Sequence, residues 1–198
     1  MIKTLMFFFV LAMSAQADDL VEFRSASKGE YRYADWSHSF SNKLATDLYY
    51  VGVPGANEAA LCLGYTLPTR AALSLTPFFC GGFIKEGKVA GVKTAVVANW
   101  QRGALKADAF YAFFKPMQQI ASTYHVLDAG NVTYSVTKTW ELGASVGFFT
   151  QGGLWQYQAG PLVRRNDRAG YWGISYRFGN VNELRFIRSF NIKTRGEP

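Results

Sequence analysis

Seven charged residues are candidates for solute chemistry, because they occupy alternate positions of segments that otherwise hold small and polar side chains. They are Lys93, Lys106, Asp108, Glu141, Arg164, Arg177 and Arg185. Charges that share a confined interior must be paired or hydrated. One interpretation is a narrow hydrated passage with a slight preference for anions, since five of the seven are cationic. The other is a plugged interior, in which opposite charges only hold facing walls together.

Three neutral polar side chains continue the same pattern. His125, Gln156 and Gln158 occupy polar positions of the alternating segments. We therefore expect all three to line the same interior as the seven charges.

The two histidines, His38 and His125, are the candidates for catalysis. Each has a hydroxyl and a carboxylate nearby in the sequence, the groups that accompany histidine in hydrolases. Adjacent residues of a strand point to opposite faces, so His38 is poorly placed to reach Ser37 or Ser39. Two histidines are also too few for a multi-histidine metal site. We expect no enzyme, metal or cofactor, and a lipid hydrolase or acyltransferase is the enzymatic alternative.

The segments that carry these residues alternate with a period of two. Between residues 171 and 178, large apolar side chains alternate with small or polar ones, which is typical of a half-buried strand. Short turns rich in Gly, Pro and Asn separate the segments, which favours consecutive antiparallel hairpins. Ten strands follow from residue 44 onward. From Tyr124 to Lys138 the alternation of residue types continues without a shift, which predicts an unusually long strand.

Composition and the first residues indicate an exported protein. Charged residues make up 18% of the chain, against roughly 25% in soluble domains, and aromatics make up 16%. This disfavours an ordinary soluble enzyme and excludes a disordered chain. Lys3, an apolar run over 5–13 and Ala15-Gln16-Ala17 are typical of a signal peptide. Export and the lack of a concentrated basic stripe disfavour nucleic-acid binding.

The domain division follows from these patterns. Residues 1–17 are the expected signal peptide and 44–192 the expected barrel. Residues 18–43 supply two extra strands, an arm or a plug, and 193–198 form a tail.

A meander of ten to twelve strands has to close or split. With its aromatic face inward, it would be a secreted or periplasmic lipocalin-like calyx that binds an apolar ligand. With that face outward, it would lie in lipid. The polar face is mostly Gly, Ser, Thr, Gln and Asn, which suits a narrow lumen better than a soluble outer surface. The aromatic residues expected to face lipid are Trp140, Trp155, Tyr157, Trp172, Tyr176, Phe186 and Phe190.

This pattern resembles that of bacterial outer-membrane β-barrels as a class, from about residue 44 onward. In the last segment, Leu184, Phe186, Phe190 and Ile192 alternate, which is similar to the C-terminal signal read by the barrel-assembly machinery. Six residues follow, where an aromatic residue normally ends the chain.

The resemblance implies an all-β, antiparallel, up-and-down transmembrane barrel of about 10–12 strands in a Gram-negative outer membrane. Its partners would be outer-membrane lipid, lipopolysaccharide, the assembly machinery and a small anionic or polar solute. The implied function is a small passive pore or a structural surface protein.

Two features complicate the pattern. Cys62 and Cys80 are six and ten residues from a turn at Pro68 to Arg70, so we expect free, buried thiols rather than a disulfide. Arg188 falls on the lipid-facing parity, where an arginine at the bilayer midplane would cost roughly 2–4 kcal/mol. A β-bulge, or displacement of the strand toward the interface, would relieve that cost.

Overall fold

The computed structural model describes residues 17–26, 31–53, 56–67, 69, 72–85, 88–89, 91–117, 122–180 and 182–193. Thirteen strands in these ranges belong to one sheet. They are β1 (Ala17–Ala26), β2 (Arg32–Phe40), β3 (Leu44–Val53), β4 (Ala56–Tyr65), β5 (Leu73–Lys85), β6 (Lys88–Val89), β7 (Gly91–Arg102), β8 (Leu105–Pro116), β9 (Tyr124–Ser135), β10 (Trp140–Gln151), β11 (Leu154–Asn166), β12 (Gly170–Gly179) and β13 (Glu183–Lys193).

Twelve of the strands form a closed antiparallel barrel. Each long strand pairs with the next along the chain, and β13 pairs with β1 to close the ring. The two-residue strand β6 pairs only with the end of β5. The predicted all-β, up-and-down barrel of about 10–12 strands is confirmed, with twelve. Closure leaves no unpaired sheet edge.

The N-terminal region contributes two of the barrel strands. Strands, an arm or a plug were open for residues 18–43, and the described residues of this range form β1, β2 and the turn before β3. The expected signal peptide lies outside the described residues except for Ala17, and it stays a prediction, as does the tail after Lys193. Among the described residues, no helix is long and apolar enough to cross a membrane.

The two faces of the sheet differ sharply. Inward side chains of β3 to β9 form an apolar cluster against one wall, which includes Tyr49, Phe78, Phe114 and Tyr124. Inward side chains of β1 and β9 to β13 are mostly charged or small. The lumen therefore has an apolar wall and a polar wall.

The aromatic residues expected to face lipid lie on the outer face. Trp155 is 66% exposed and Tyr157 63%, and the rings of Trp140 and Trp172 meet edge to face near the end of the barrel that carries the termini. Exposed aromatic side chains in this arrangement match the belts of membrane barrels. The calyx hypothesis required this face to point inward, and it points outward. The others on the outer face are Tyr176, Phe186 and Phe190.

A β-bulge in β9 corrects one prediction. On β8, Asp128 pairs with Phe110 and Asn131 pairs with Asp108. Two residues separate the pair on β9, whereas only one separates their partners on β8. The register with β10 shifts at the same place. Because one extra residue exchanges the two faces of a strand, the first half of β9 is reversed relative to the predicted unbroken parity. The strand also ends at Ser135, so the predicted run to Lys138 is wrong.

The cysteines form a disulfide, so the expectation of free thiols is wrong. Cys62 and Cys80 lie directly opposite each other on β4 and β5 and are bonded. The bridge between Leu67 and Leu75 shows that this hairpin is centred on residue 71. The expected turn was centred two residues earlier, and that difference separated the two cysteines.

Arg188 lies on the outer face, as its parity indicates, in the middle of β13 but near the start of the neighbouring strand β12. It is opposite Trp172, two residues above the start of β12. Its Nη1 donates a hydrogen bond of 2.6 Å to Asp167 Oδ2 in the turn between β11 and β12, and this bond lowers the pKa of Asp167. The ion pair with Asp167, which neither expected remedy included, partly offsets the charge of Arg188 on the outer face.

The disulfide yields a direct prediction. Unreduced protein, unfolded in denaturant, should take up no iodoacetamide, and reduction should allow two additions by mass spectrometry. The double variant Cys62→Ala/Cys80→Ala should fold, with a free energy of unfolding lower by about 2–4 kcal/mol, because the crosslink restricts the unfolded chain. Alkylation of unreduced wild-type protein would contradict the assignment.

Candidate functional site

The bulge in β9 aims one carboxylate, Asp128, into the lumen. Tyr124 and Asp128 belong to the reversed half of the strand, and Tyr124 is buried inside the barrel. With an unbroken strand, Asp128 would share a face with Val132 and Tyr134, which are exposed on the outside. One extra residue therefore decides whether this charge meets lipid or the interior.

Asp128 is the centre of a cluster of arginines. Arg24 Nη1 donates to its Oδ2 and Arg185 Nη1 to its Oδ1, each at 2.5 Å. Arg177 Nη1 lies 3.7 Å from Oδ1. Tyr31 adds a neutral donor, its hydroxyl 3.0 Å from Oδ2. Three cations on one carboxylate hold the aspartate ionised and fixed in place.

These contacts cross the full width of the barrel. Counted around the ring in either direction, β2 is six strands from β9. Tyr31 immediately precedes β2, so its hydrogen bond to Asp128 spans the lumen from one wall to the opposite one. We call the group of Arg24, Tyr31, Asp128, Arg177 and Arg185 the Asp128 cluster.

Partner groups extend the Asp128 cluster along the polar wall. Arg24 also pairs with Glu22, and Arg185 pairs with Glu183 at 3.0 Å. Tyr171 donates a 2.5 Å hydrogen bond to Glu22. Each arginine thus shares its charge between at least two acceptors.

Arg177 fits against the wall because the residues beneath it are small. Its Nε and Nη2 donate to Ser145 Oγ at 3.0 and 2.6 Å. A Cβ added at Gly147 would lie 3.1 Å from Arg177 Nη1. The glycine and serines of the polar face therefore provide space for a guanidinium that is completely buried.

A second group of ion pairs lies toward the end of the barrel that carries the termini. Arg164 binds Asp108 through both nitrogens, at 2.8 and 3.1 Å, and Asn131 donates to the same carboxylate at 2.6 Å. Lys106 pairs with Glu141, which also accepts from Asn166 at 2.9 Å. Lys106 and Asp108 are about one-third exposed, so water reaches this group.

A third group connects the apolar wall to the charged one. Lys93 donates to the Tyr49 hydroxyl at 2.5 Å and lies 3.6 Å from Glu58. Tyr124 donates to Glu58 at 3.0 Å. The ammonium group also lies over the rings of Tyr49 and Tyr124, a favourable cation–π position.

The balance of charge in the lumen differs from the predicted excess of cations. The inward, described side chains include six basic groups and eight acidic ones. The basic ones are Arg24, Lys93, Lys106, Arg164, Arg177 and Arg185, and the acidic ones are Glu22, Asp35, Asp47, Glu58, Asp108, Asp128, Glu141 and Glu183. The described lumen therefore has no excess of basic groups, and a preference for anions stays a prediction.

The candidate residues from the sequence fall into three sets. The seven charged candidates all point inward, and each has a polar partner within the described part of the chain. Gln158 is half-buried on that face, whereas Gln156 stands exposed near the end of the barrel opposite the termini. His125 is a correction, because the bulge turns it outward. There it lies beside Phe113 and its Nδ1 is 2.7 Å from the Tyr111 hydroxyl.

The residues that sequence reasoning missed belong mainly to β1, β2 and the reversed half of β9. Alternation of polar residues over 22–24 and 31–35 was a usable signal for Glu22, Arg24 and Tyr31. No pattern in the sequence marked the bulge, so Asp128 was assigned to no face.

Neither histidine has the surroundings of a hydrolase triad. His38 also points outward, near the end that carries the termini, with Nδ1 2.5 Å from Asp19 Oδ1 and Phe40 against its ring. Within the described ranges, no serine or threonine hydroxyl is hydrogen-bonded to His38 or His125. The same ranges contain no group of three residues suited to bind a metal ion.

Comparison with solved structures identifies the same fold in outer-membrane porins. A KdgM porin superimposes with a TM-score of 0.60 at 11% identity, over 90% of this chain and 99% of that one. KdgM porin in complex with disordered oligogalacturonate matches equally well, over 91% and 100%. A NanC porin gives 0.58 at 10% identity, over 89% and 100%.

No protein-family model and no curated protein matches the sequence. The fold of a bacterial outer-membrane β-barrel, predicted as a class, is confirmed. Because its outer face is apolar and needs lipid, the barrel is located in the outer membrane.

The Asp128 cluster predicts unequal effects of two aspartate substitutions. Asp128→Asn leaves three buried cations without their shared anion and should lower the free energy of unfolding by about 3–5 kcal/mol. Asp167→Asn is the matched control, since it removes an ion pair on the outer surface and should change stability little. Urea unfolding in lipid vesicles, followed by tryptophan fluorescence, measures both. Equal stability of the two variants would contradict the cluster.

Proposed function

We propose that this protein is a small passive pore of the outer membrane, with a narrow polar lumen that the Asp128 cluster holds nearly shut. The observation that carries the proposal is the kind of group that closes the lumen. In the described part of the chain, ion pairs and hydrogen bonds cross the barrel from β9 to β1 and to Tyr31, the residue before β2. Such groups can exchange partners with water, so the closure is compatible with slow passage of ions and small polar solutes.

The water-exposed end of the lumen supports this proposal. Lys106 and Asp108 are accessible at the end that carries the termini, while the Asp128 cluster is almost completely buried. The proposed passage thus has a water-accessible mouth and a largely buried constriction. In a barrel of twelve strands, between the filled interiors of eight and the open channels of sixteen, a constriction made of side chains controls the flow.

Charge argues for small solutes of either sign rather than for polyanions. One solved neighbour carries oligogalacturonate, an acidic sugar chain. Here every inward arginine has a polar partner, and acidic groups outnumber basic ones in the described lumen. A polyanion would have to displace carboxylates that already occupy the cations.

A structural surface protein is the second candidate function. The observation in its favour is the apolar cluster, in which Phe114, Cys62 and Cys80 are completely buried inside the barrel. That wall excludes water, and if the polar wall did the same, the barrel would only fill membrane area. In both cases lipid and lipopolysaccharide would surround the barrel and the assembly machinery would read β13.

Conductance separates the two functions. In planar bilayers the wild-type protein should give a small conductance, with a reversal potential near zero or weakly cation-selective. Asp128→Asn should raise the conductance several-fold and shift selectivity toward anions, because three arginines lose their shared carboxylate and repel one another.

The control is again Asp167→Asn, whose currents should match those of wild type. Absence of current from both wild type and Asp128→Asn would contradict the proposed pore and favour the structural function. A variant current equal to that of wild type would show that the Asp128 cluster does not control the passage.

A further inference from the structure

The lumen contains a cavity with a mixed polar and apolar lining at the end that carries the termini. It measures about 430 Å³ and lies where β7 ends and where β5 and β8 begin. The inward side chains around it are Ser74, Asn99, Gln101, Lys106 and Asp108. The volume is within the range of roughly 300–1,000 Å³ typical of small-molecule sites. We call this cavity the vestibule.

Three polar side chains of the vestibule are accessible from the cavity and have unused hydrogen-bonding groups. The side chains of Ser74, Asn99 and Gln101 make no hydrogen bond to any other described residue. Asn99 and Gln101 are two apart on β7 and point the same way, with both amides exposed to the cavity. Each primary amide offers two donors and a carbonyl acceptor, so two adjacent amides form a strip of donors and acceptors.

The charges of the vestibule are already paired. Lys106 is bound to Glu141, and Asp108 is bound to Arg164 and Asn131. Each cation therefore has an anion beside it, and the four charges sum to zero. An anionic ligand would gain no unpaired cation, and an apolar ligand would leave the amides without partners at the cost of their desolvation.

We infer that the vestibule binds small, neutral, polyhydroxylated solutes such as sugars or polyols. Asn99 and Gln101 would bond ring hydroxyl groups, and Ser74 would add a third contact from β5. Paired hydroxyls match the donor and acceptor of an amide, and the balanced charges of Lys106 and Asp108 accept further hydrogen bonds without selecting a charged ligand. The role in transport rests on the proposed pore, whereas binding itself does not need an open lumen.

Binding can be measured on the purified full-length protein in detergent. The probes are sucrose as the neutral sugar and glucuronate as the anionic one, each followed by saturation-transfer NMR and by titration. Sucrose should bind in the millimolar range, and glucuronate should bind more weakly. The double variant Asn99→Ala/Gln101→Ala should weaken sucrose binding about tenfold or more, the effect of losing two hydrogen bonds.

Gln156→Ala is the matched control, because it removes an exposed amide at the opposite end of the barrel. Its affinity for sucrose should equal that of wild type, and heat-modifiable mobility on gels should confirm that every variant folds. Three results would overturn the inference: no sucrose binding, tighter binding of glucuronate, or unchanged binding in the double variant.

The two proposals fail separately. Sucrose binding without bilayer current would contradict the pore and preserve the vestibule. Bilayer current without sucrose binding would contradict the vestibule and preserve the pore.

Discussion

One extra residue in β9 determines the interior of this barrel. The bulge between Asp128 and Asn131 reverses the first half of the strand, so that a carboxylate enters the lumen and His125 leaves it. Arginines from β1, β12 and β13 converge on that carboxylate. Without it, three cations would lie together in a space where water is scarce, at a cost of several kcal/mol. Ser145 and Gly147 of β10 leave room for the Arg177 guanidinium against the wall.

The two walls of the lumen have different roles: the apolar wall stabilises the barrel, and the polar wall would border the proposed passage. The apolar wall, clipped by the disulfide between β4 and β5, packs like the core of a soluble domain. The polar wall consists of groups whose partners can be replaced by water or solute. In the proposed pore, a solute would pass the vestibule at the ends of β5, β7 and β8 before it reached the Asp128 cluster. A well-packed wall and a proposed polar passage can thus share one twelve-stranded barrel.

Alternation of residue types predicted what depends on one strand at a time. The strand number, the outward aromatics such as Trp155 and the inward charges such as Arg164 all follow from parity. Features that depend on the register between two strands were not predictable. To predict the disulfide, the β4–β5 hairpin would have had to be centred at residue 71. To predict the orientation of Asp128, the bulge in β9 would have had to be known, and no residue type indicates it. The sequence overstated the share of cations for a related reason: among the eight acidic groups of the described lumen, Glu22 and Asp35 come from residues 18–43, whose role was open, and Asp128 depends on the bulge.

The central claim is that β9 bulges and turns Asp128 into the lumen, and an experimental structure of the protein in a lipid environment tests it most directly. The account predicts density for the Asp128 carboxylate within hydrogen-bond distance of Arg24 and Arg185, with His125 on the outer face beside Phe113. An unbroken β9, with Asp128 toward lipid and His125 in the lumen, would contradict it.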